Sequence, residues 1–366
     1  MQNNPRQSFF TPVISFLLVA IFTLSCQQKS SSNNEQSMLL PDASGDLGDI
    51  MVVMADAKWK GAIGEYLRNT LAAPIPGLPQ EEPTFKLRKI KPIKMPNLLR
   101  MAKTMIYVTI LDDASPEGLY LRAHMTNESG KKIRNDSSLY IFIEKNVKAN
   151  GQEIIYLFGT DEATLLKNLK KNEGKLVEHL RALAKRRLVA KLYAAKEKKG
   201  LEKSLLAEKN FSLRIPNGYQ LADKKDNFVW IRKLGVVDKS IFIYFEDYVS
   251  QEVFEQDSIL ALREKITTTY LRDVEEPDLY ITYQDMLPIR SENITLNGKF
   301  AVKSYGLWRI SDNTLGGPYR SYAFVDEKLN RLYYMEGYIS APGKDKREAI
   351  WELDAIMSTF RTSSEL

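Results

Sequence analysis

The 366-residue sequence contains one cysteine, Cys26, and two histidines, His124 and His179. A single cysteine excludes an internal disulfide, and two histidines exclude a zinc site built from several imidazoles. The HExxH, GxSxG, GxGxxG, P-loop and EF-hand patterns are absent too. The sequence therefore predicts neither a metal nor a cofactor. Its 19 glycines and 15 prolines are too few to suggest disorder away from the ends.

Long apolar runs are scarce as well. The run from about Val13 to Leu24 is too short to cross a bilayer comfortably, since about 20 residues are needed. It follows one positive charge and ends at Ser25-Cys26, so it resembles the signal peptide of a bacterial lipoprotein, cut before Cys26. Thr23 stands where that pattern prefers leucine. Acylation of Cys26 would also explain the lone cysteine, whereas the alternative is a retained N-terminal anchor helix.

The polar run QQKSSSNNEQ, residues 27–36, predicts a flexible tether between the lipid and the fold. Tethers of lipoproteins exported to the cell surface often carry acidic residues directly after the cysteine, and this one begins Gln27-Gln28-Lys29. We therefore expect an outer-membrane lipoprotein that faces the periplasm.

Composition indicates a globular protein, with 44% apolar and 27% charged residues, and the length suits two domains. We predict an α+β fold with two mixed sheet and helix units joined by a long basic amphipathic helical region. The boundaries are a signal peptide at 1–25, a tether at 26–47, a first unit at 48–160, the helical region at 161–210 and a second unit at 211–366.

In the first unit, an apolar run at 49–55 predicts a strand, and apolar residues at spacings of three and four predict a helix at 58–72 that Pro74 and Pro76 end. Further strands are predicted at 85–90, 105–111, 139–144 and 154–159, with a loop-rich span at 112–136. Strands without regular helical crossovers favour α+β over a doubly wound sheet.

The helical region holds fourteen Lys or Arg against seven Asp or Glu. Leucines recur along one face of it and the basic residues occupy the other. One interpretation is a helix packed on the sheet with a solvated basic back, and another is a surface that meets anionic lipid headgroups. A nucleic-acid partner is disfavoured by the predicted export and by the lack of a binding motif.

The second unit alternates strands and helices and ends in a helix predicted at 346–360. It opens on the pattern Phe-x-x-x-x-Pro at Phe211 and closes on Ser358-Thr359-Phe360. In these features it resembles the α/β/α sandwich of PsbP and Mog1-like proteins.

The best candidate for a binding surface runs from Gly306 to Tyr322, where a Gly-Gly-Pro turn stands among aromatic and basic residues. Such a mixture suits stacking and bidentate hydrogen bonds to a sugar or carboxylate ligand. Acidic and amide side chains on the loop Gly77 to Pro83 would face the same site if both units pack together. The candidate ligand-binding residues are Trp308, Arg309, Asp312, Gly316, Gly317, Tyr319, Arg320, Gln80, Glu81 and Glu82. The alternative is an ordinary hairpin with core aromatics and a solvated loop.

Separated motifs carry one family resemblance. They are Trp59 with Gly61 and Gly64, LPQEEP at 78–83, NFVW at 227–230, GLW at 306–308 and GGPY at 316–319. On these, most of the mature chain resembles the Bacteroidota lipoproteins known as domain of unknown function 4837. The resemblance implies location and extent, and it implies no activity.

Three functions are compatible with these observations. The first is a non-enzymatic, membrane-anchored binding protein for an envelope protein or glycan. The second is a hydrolase of envelope polymers that uses Glu81, Glu82 or Asp312 as acid and base. The third is a helix-mediated membrane-surface protein. The hydrolase requires two of those carboxylates to converge in one cleft.

Overall fold

Two sheets organise the part of the chain that the computed structural model describes, residues 40–93 and 95–366. The first sheet has five strands in the order β2-β1-β3-β5-β4. Its strands are β1 (Asp49–Val53), β2 (Lys86–Ile90), β3 (Thr104–Ile110), β4 (Ile141–Lys145) and β5 (Glu153–Gly159). Three pairings are parallel, and only β4 runs antiparallel, against β5. The sequence predicted strands without regular helical crossovers, whereas most strand pairs of this sheet are parallel.

Helices cover both faces of the first sheet. They are α1 (Asp56–Lys60), α2 (Ala62–Leu71), α3 (Pro116–Ala123) and α4 (Asn127–Asn135), followed by α5 (Glu162–Lys171) and α6 (Glu173–Leu192). One face packs against α2, α5 and α6 around Ile63, Leu165 and Leu180, and the other contacts Leu121 of α3. Burial on both faces explains why β1 is buried along its whole length and is apolar after Asp49. The span 112–136, predicted to be loop-rich, contains α3 and α4.

Residues before the predicted boundary at Gly48 bond to the first unit. The backbone N–H of Ala43 donates to Asn150 O at 2.9 Å, and that of Ser44 donates to Met101 O at 2.9 Å. Leu47 is buried against Leu188 of α6. Residues 40–47, assigned to the tether, therefore belong to the fold because their backbone groups bond to the first unit. The predicted signal peptide and Cys26 lie outside the described residues.

The predicted helical region consists of α5, α6 and then α7 (Lys199–Lys209). The breaks fall at Asn172 and at residues 193–198, just before Gly174 and Gly200. Buried leucines form one side of α6, at Leu176, Leu180, Leu183 and Leu188. Helices α5 and α6 thus pack their apolar side on the first unit, whereas α7 contributes Leu205 to the core of the second unit.

The second sheet has eight strands, all paired antiparallel. They are β7 (Gln220–Lys224), β8 (Phe228–Lys233), β9 (Asp238–Asp247), β10 (Ile281–Gln284), β11 (Arg290–Leu296), β12 (Lys299–Ile310), β13 (Gly316–Asp326) and β14 (Arg331–Ser340). Short strands β6 (Phe211–Ser212) and β15 (Arg361–Thr362) pair separately. Helix α8 (Gln256–Tyr270) packs on one face and α9 (Arg347–Met357) on the other. The α+β prediction and its α/β/α second unit are confirmed.

The two units share an interface. Ile75 and Leu78, from the loop after α2, enter the core of the second unit. In the opposite direction Trp351 of α9 packs on the first unit's core, with its ring centroid 6.0 Å from that of Phe85. Loop 72–85 is therefore held against the second sheet, and this brings it to the turns at one end of that sheet.

Candidate functional site

A cleft of about 330 Å³ lies where the loop after α2 meets the second unit. One wall is Pro79 and Gln80 of that loop, and the other walls come from the ends of β10 and β12, the β12–β13 turn and the β14–α9 turn. Its residues are Pro79, Gln80, Gln284, Met286, Leu307, Trp308, Arg309, Asn313, Thr314, Leu315, Gly316, Gly317, Ala341, Pro342, Gly343 and Lys346. We call this the junction cleft.

The β12–β13 turn has a closely specified backbone. Asp312 accepts hydrogen bonds from the N–H and hydroxyl of Thr314 at 3.0 and 2.7 Å, and Asn313 adopts φ = 66°. A Cβ on Gly317 would lie 2.1 Å from Ile339 O, so only glycine fits there. The same carbonyl accepts the indole N–H of Trp308 at 3.0 Å. Glycine at this position therefore lets the backbone of β13 approach the backbone of β14 closely, beside Trp308.

The charged residues in the lining of the junction cleft are both cations. Arg309 donates from Nη1 to the carbonyl oxygens of Ile310 and Ser311, at 3.3 and 2.9 Å. Lys346 donates to Gln80 Oε1 at 3.1 Å and to Lys344 O at 2.8 Å. An arginine carries five N–H donors and a lysine three, so both retain unused donors. The lining is therefore positive and suited to a carboxylate.

The structure brings together five of the ten predicted site residues, namely Gln80, Trp308, Arg309, Gly316 and Gly317. Gln80 lies on the loop that was expected to face this site only if the two units pack together. Trp308 is 4% exposed, so its ring forms the floor of the junction cleft and offers little free surface for stacking.

The other five residues lie elsewhere, and three have internal roles. Tyr319 is buried beneath the guanidinium of Arg263, whose Cζ is 4.2 Å from the ring centroid. Burial raises the pKa of Tyr319 to about 12. Arg320, on the opposite face of the same strand, donates to the carboxylate of Asp354 on α9. These two side chains point into the two helix layers and away from the cleft, because successive residues of a strand face opposite sides.

Glu82 is also an internal residue. Its carboxylate accepts the backbone N–H groups of Lys346, at 2.8 Å, and Arg347, at 2.9 Å, where α9 begins. Glu81 is exposed on the loop. Asp312 is exposed in its turn, where the backbone N–H of Thr314 lowers the pKa of its carboxyl.

The hydrolase hypothesis required two of these carboxylates to converge. Neither the junction cleft nor the larger cavity described below contains Glu81, Glu82 or Asp312 in its lining. Glu82 is bonded to a helix terminus, and the low pKa of Asp312 makes it a poor proton donor near neutral pH. The geometry gives the hydrolase no catalytic pair among these three residues.

Sequence reasoning missed several lining residues, above all Lys346 and Met286. Pro342-Gly343 was available as a turn signal directly before α9, and it would have placed Lys346 near a sheet end. Nothing in the sequence indicated that this turn lies beside residues 79–80. Met286 is 69% exposed and Leu315 is 46% exposed, so the junction cleft has an apolar rim.

A larger cavity of about 710 Å³ lies at the other end of the β12–β13 hairpin, lined in part by Phe254, Lys299, Phe300 and Asp326. Its buried polar groups bond to one another. Asp326 accepts the Ser364 hydroxyl at 2.6 Å and the hydroxyl of Thr362, and Lys299 pairs with Glu365. This network leaves its central carboxylate little capacity for a ligand.

Both histidines have protein partners. His124 Nδ1 lies 2.8 Å from Tyr120 O, and His179 Nε2 contacts the carboxylate of Glu153. Within residues 40–93 and 95–366, His, Cys, Asp and Glu side chains form no group of three or more that could hold a metal ion. None of the helices in the same residues is long and apolar enough to span a membrane.

The fold and the junction cleft define a two-unit α+β protein with a positively charged site between the units. Two family models match it in succession. Residues 198–359 match the domain of unknown function DUF4837, and residues 43–192 match a second domain of unknown function, DUF8532. The first match supports the predicted family for the second unit. The predicted resemblance to that family covered most of the mature chain, but residues 43–192, in the first unit, match the other model.

No curated protein matches the chain. Two solved structures of Mog1 resemble it, a mutant and the Ran-binding protein Mog1p of Saccharomyces cerevisiae, each with 9% identity, a TM-score of 0.29 and 42% of this chain covered. They are covered over 91% and 90% of their own lengths. A structure from Bacteroides thetaiotaomicron has 11% identity and a TM-score of 0.18, with 42% of this chain and 45% of that one covered. These scores are low, and the fold class rests on the strand order itself.

Proposed function

We propose that this protein is a lipid-anchored binding protein of the bacterial cell envelope and that its junction cleft takes a carboxylate-bearing glycan. The observation that carries the proposal is the lining of the cleft. It combines two cations, Arg309 and Lys346, with amide and hydroxyl side chains and contains no carboxylate. That combination favours an acidic ligand with many hydroxyl groups.

The shape of the junction cleft supports a glycan. At about 330 Å³ it is at the small end of ligand pockets, which fits one or two sugar rings. The apolar side chains of Leu315 and Met286 at its rim offer contact surface for the C–H face of a ring. Both units contribute to the lining of the junction cleft. Ligand binding therefore requires the loop after α2 to stay packed against the second unit.

The anchor in this proposal is a lipid on Cys26, with the folded part on the periplasmic side of the outer membrane. Support comes from the apolar run before Cys26, its Ser25-Cys26 end and the lone cysteine of the chain. Binding without chemistry is favoured because Glu81, Glu82 and Asp312 do not line the junction cleft.

Calorimetric titration with an oligosaccharide of glucuronic acid tests the ligand class, with the matching oligosaccharide of glucose as the neutral comparison. We expect the acidic oligosaccharide to bind, and Arg309→Gln to weaken it by about tenfold or more, since a hydrogen bond between charged groups contributes about 1.5–3 kcal/mol. Arg290→Gln is the matched control, because Arg290 is exposed on β11 outside the lining. Equal affinity of the two oligosaccharides, or of the two arginine variants, would refute the proposed ligand class.

The anchor has its own test. Mass spectrometry of the protein from its native envelope should show an N-terminal acylated Cys26, and Cys26→Ser should move the protein out of the membrane fraction. An unmodified Cys26 in envelope-derived protein would rule out the lipid.

A further inference from the structure

The exposed side of α6 is a cationic surface. Lys175, Arg181, Lys185 and Arg186 lie on the side opposite the buried leucines, with Ala182 among them. We call these four residues the α6 basic face. The acidic residue beside them is Glu178, so the surface carries a net positive charge.

The four cations have no ion-pair partners in the described structure. Among the salt bridges of residues 40–93 and 95–366, none includes a member of the α6 basic face. The adjacent Arg187 behaves differently. It turns inward and donates to Lys103 O at 2.7 Å and Gly151 O at 2.8 Å.

The first residues that the structure describes, 40–47, lie beside this helix. Leu40 O accepts the side-chain N–H of Asn150 at 2.8 Å, next to Gly151, which Arg187 contacts. Ser44 bonds to both Met101 and Lys103 through its backbone, and Leu47 packs on Leu188 of α6. Residues 40–47 therefore lie against the same edge of the first unit as the second half of α6.

Cys26 is close to this point along the chain. Residues 27–39 separate it from Leu40, and a fully extended segment of that length spans at most about 50 Å. A lipid on Cys26 would keep the first unit near the bilayer at a high effective concentration. A weak electrostatic contact then suffices to hold one side of the protein on the membrane.

We propose that the α6 basic face lies on anionic phospholipid headgroups of the membrane that carries the Cys26 lipid, so that the first unit contacts the membrane. This inference rests on the proposed anchor. The apolar side of α6 is used in the core at Leu176, Leu180 and Leu183, so the helix lies on the surface without insertion. The contact is electrostatic and therefore depends on salt and on lipid charge.

Site-specific fluorescence quenching tests the contact in the full-length lipidated protein. Acylation blocks Cys26, so Ala182→Cys supplies one free thiol for a fluorophore at the centre of the face. The vesicles contain nitroxide-headgroup lipid in phosphatidylcholine, either alone or with about one third phosphatidylglycerol. We expect strong quenching only with phosphatidylglycerol, and its loss near about 0.5 M salt, where screening extends only a few ångströms. A Thr295→Cys label on β11 should be quenched weakly in both.

Charge removal separates this face from general attraction of a basic protein. Glutamine at all four positions of the α6 basic face should reduce quenching at residue 182 to the level in neutral vesicles. The matched control removes four exposed lysines elsewhere, Lys131, Lys203, Lys328 and Lys344, and should leave the quenching unchanged. Thermal unfolding of both variants verifies that they fold. Equal quenching at residues 182 and 295, or equal effects of the two charge removals, would overturn the proposal.

The proposed lipid on Cys26 and the proposed membrane contact of the α6 basic face can be tested separately. If mass spectrometry finds no lipid on Cys26, flotation of the unlipidated protein with the same vesicles measures the α6 basic face directly. Each cation removed from the face should then weaken binding by about fivefold, which corresponds to about 1 kcal/mol per residue. Flotation that does not depend on these four cations would overturn the proposal in that case as well.

Discussion

The carboxylate of Glu82, in the first unit, accepts the backbone N–H of Lys346, in the second unit, at 2.8 and 3.0 Å. The N–H of Arg347 completes the arrangement at 2.9 Å. Both N–H groups belong to the start of α9, where they have no partner within the helix and where the helix dipole favours a negative charge. One unit therefore caps a helix of the other, at the edge of the junction cleft.

Replacement of this cap should destabilise the protein. We expect Glu82→Ala to lower the free energy of unfolding by about 1–3 kcal/mol, because it leaves buried helix N–H groups without an acceptor. Urea denaturation measures the change. Glu81→Ala is the matched control, since Glu81 is exposed, and it should change the value by less than about 0.5 kcal/mol. Equal effects of the two substitutions would contradict the assigned role.

The buried pair of Arg263 and Glu336 should show strong coupling. Two hydrogen bonds of 2.8 Å join them, and both side chains are at most 2% exposed. Arg263→Met should cost about 3–5 kcal/mol, because it leaves Glu336 charged and unpaired between α8 and the sheet. Arg263→Met combined with Glu336→Gln should cost less than the sum of the two single changes. Additive losses in urea denaturation would argue against the pairing.

The close approach at Gly317 predicts an intolerant position. Gly317→Ala would place Cβ 2.1 Å from Ile339 O, so we expect a loss of about 1–3 kcal/mol and a changed environment for Trp308, whose indole bonds to that carbonyl. Gly130→Ala, in helix α4 with nothing within 4 Å of the added carbon, should instead stabilise the protein by about 0.5–1 kcal/mol. Calorimetric melting distinguishes the two, and a neutral Gly317→Ala would show that this contact relaxes.

The ion pair of Glu197 and Arg214 predicts a pH dependence. Arg214 donates hydrogen bonds of 2.9 and 3.0 Å to the carboxylate and lowers the pKa of Glu197 from 4.5 to about 2. A depressed carboxyl pKa stabilises the folded state above the unfolded pKa, and this contribution is lost as the pH falls towards the folded pKa. The contribution of the pair should therefore decline from about pH 4.5 to about pH 2.

Arg214→Ala measures this decline. Its stability deficit relative to the unchanged protein should be constant above about pH 5 and should shrink as the pH is lowered to about 3. A residual deficit should persist, because the Arg214 guanidinium also stacks on Tyr193 with Cζ 3.7 Å from the ring centroid. Thermal melting over this pH range gives the comparison. A deficit that stays constant or grows on acidification would contradict the assigned pKa shift.

Local patterns predicted much of the fold. The leucine spacing from Leu176 to Leu188 indicated both the helix and its buried side, and the run at 49–55 indicated a buried strand. Helix α4 was missed because its residues are mostly polar, and each of the two helices contains a glycine, Gly118 in α3 and Gly130 in α4. The caps Ser115 and Thr126, which accept N–H groups three residues later, were the available signal.

The candidate site was predictable in part. Gly316, Gly317, Trp308 and Arg309 are neighbours on two paired strands, so a hairpin prediction placed them together. Alternation along β13 should have separated Tyr319 from Arg320, since consecutive strand residues face opposite sides. Glu82 was assigned to the site, but its carboxylate binds the start of α9, more than 260 residues away in sequence. The residues next to Glu82 give no sign of that distant partner.

The sequence by itself determined the composition of each element, the buried side of α6 and the chemistry offered by Arg309, because these depend on side chains a few residues apart. Only the tertiary structure decided that Gln80 and Lys346 face Arg309 across one cleft, and that residues 40–47 adjoin α6. The physical reason is that such contacts follow from the docking of whole units. Docking depends on the total apolar surface that residues such as Leu78 and Trp351 bury in the other unit. The sequence around each residue does not indicate this burial.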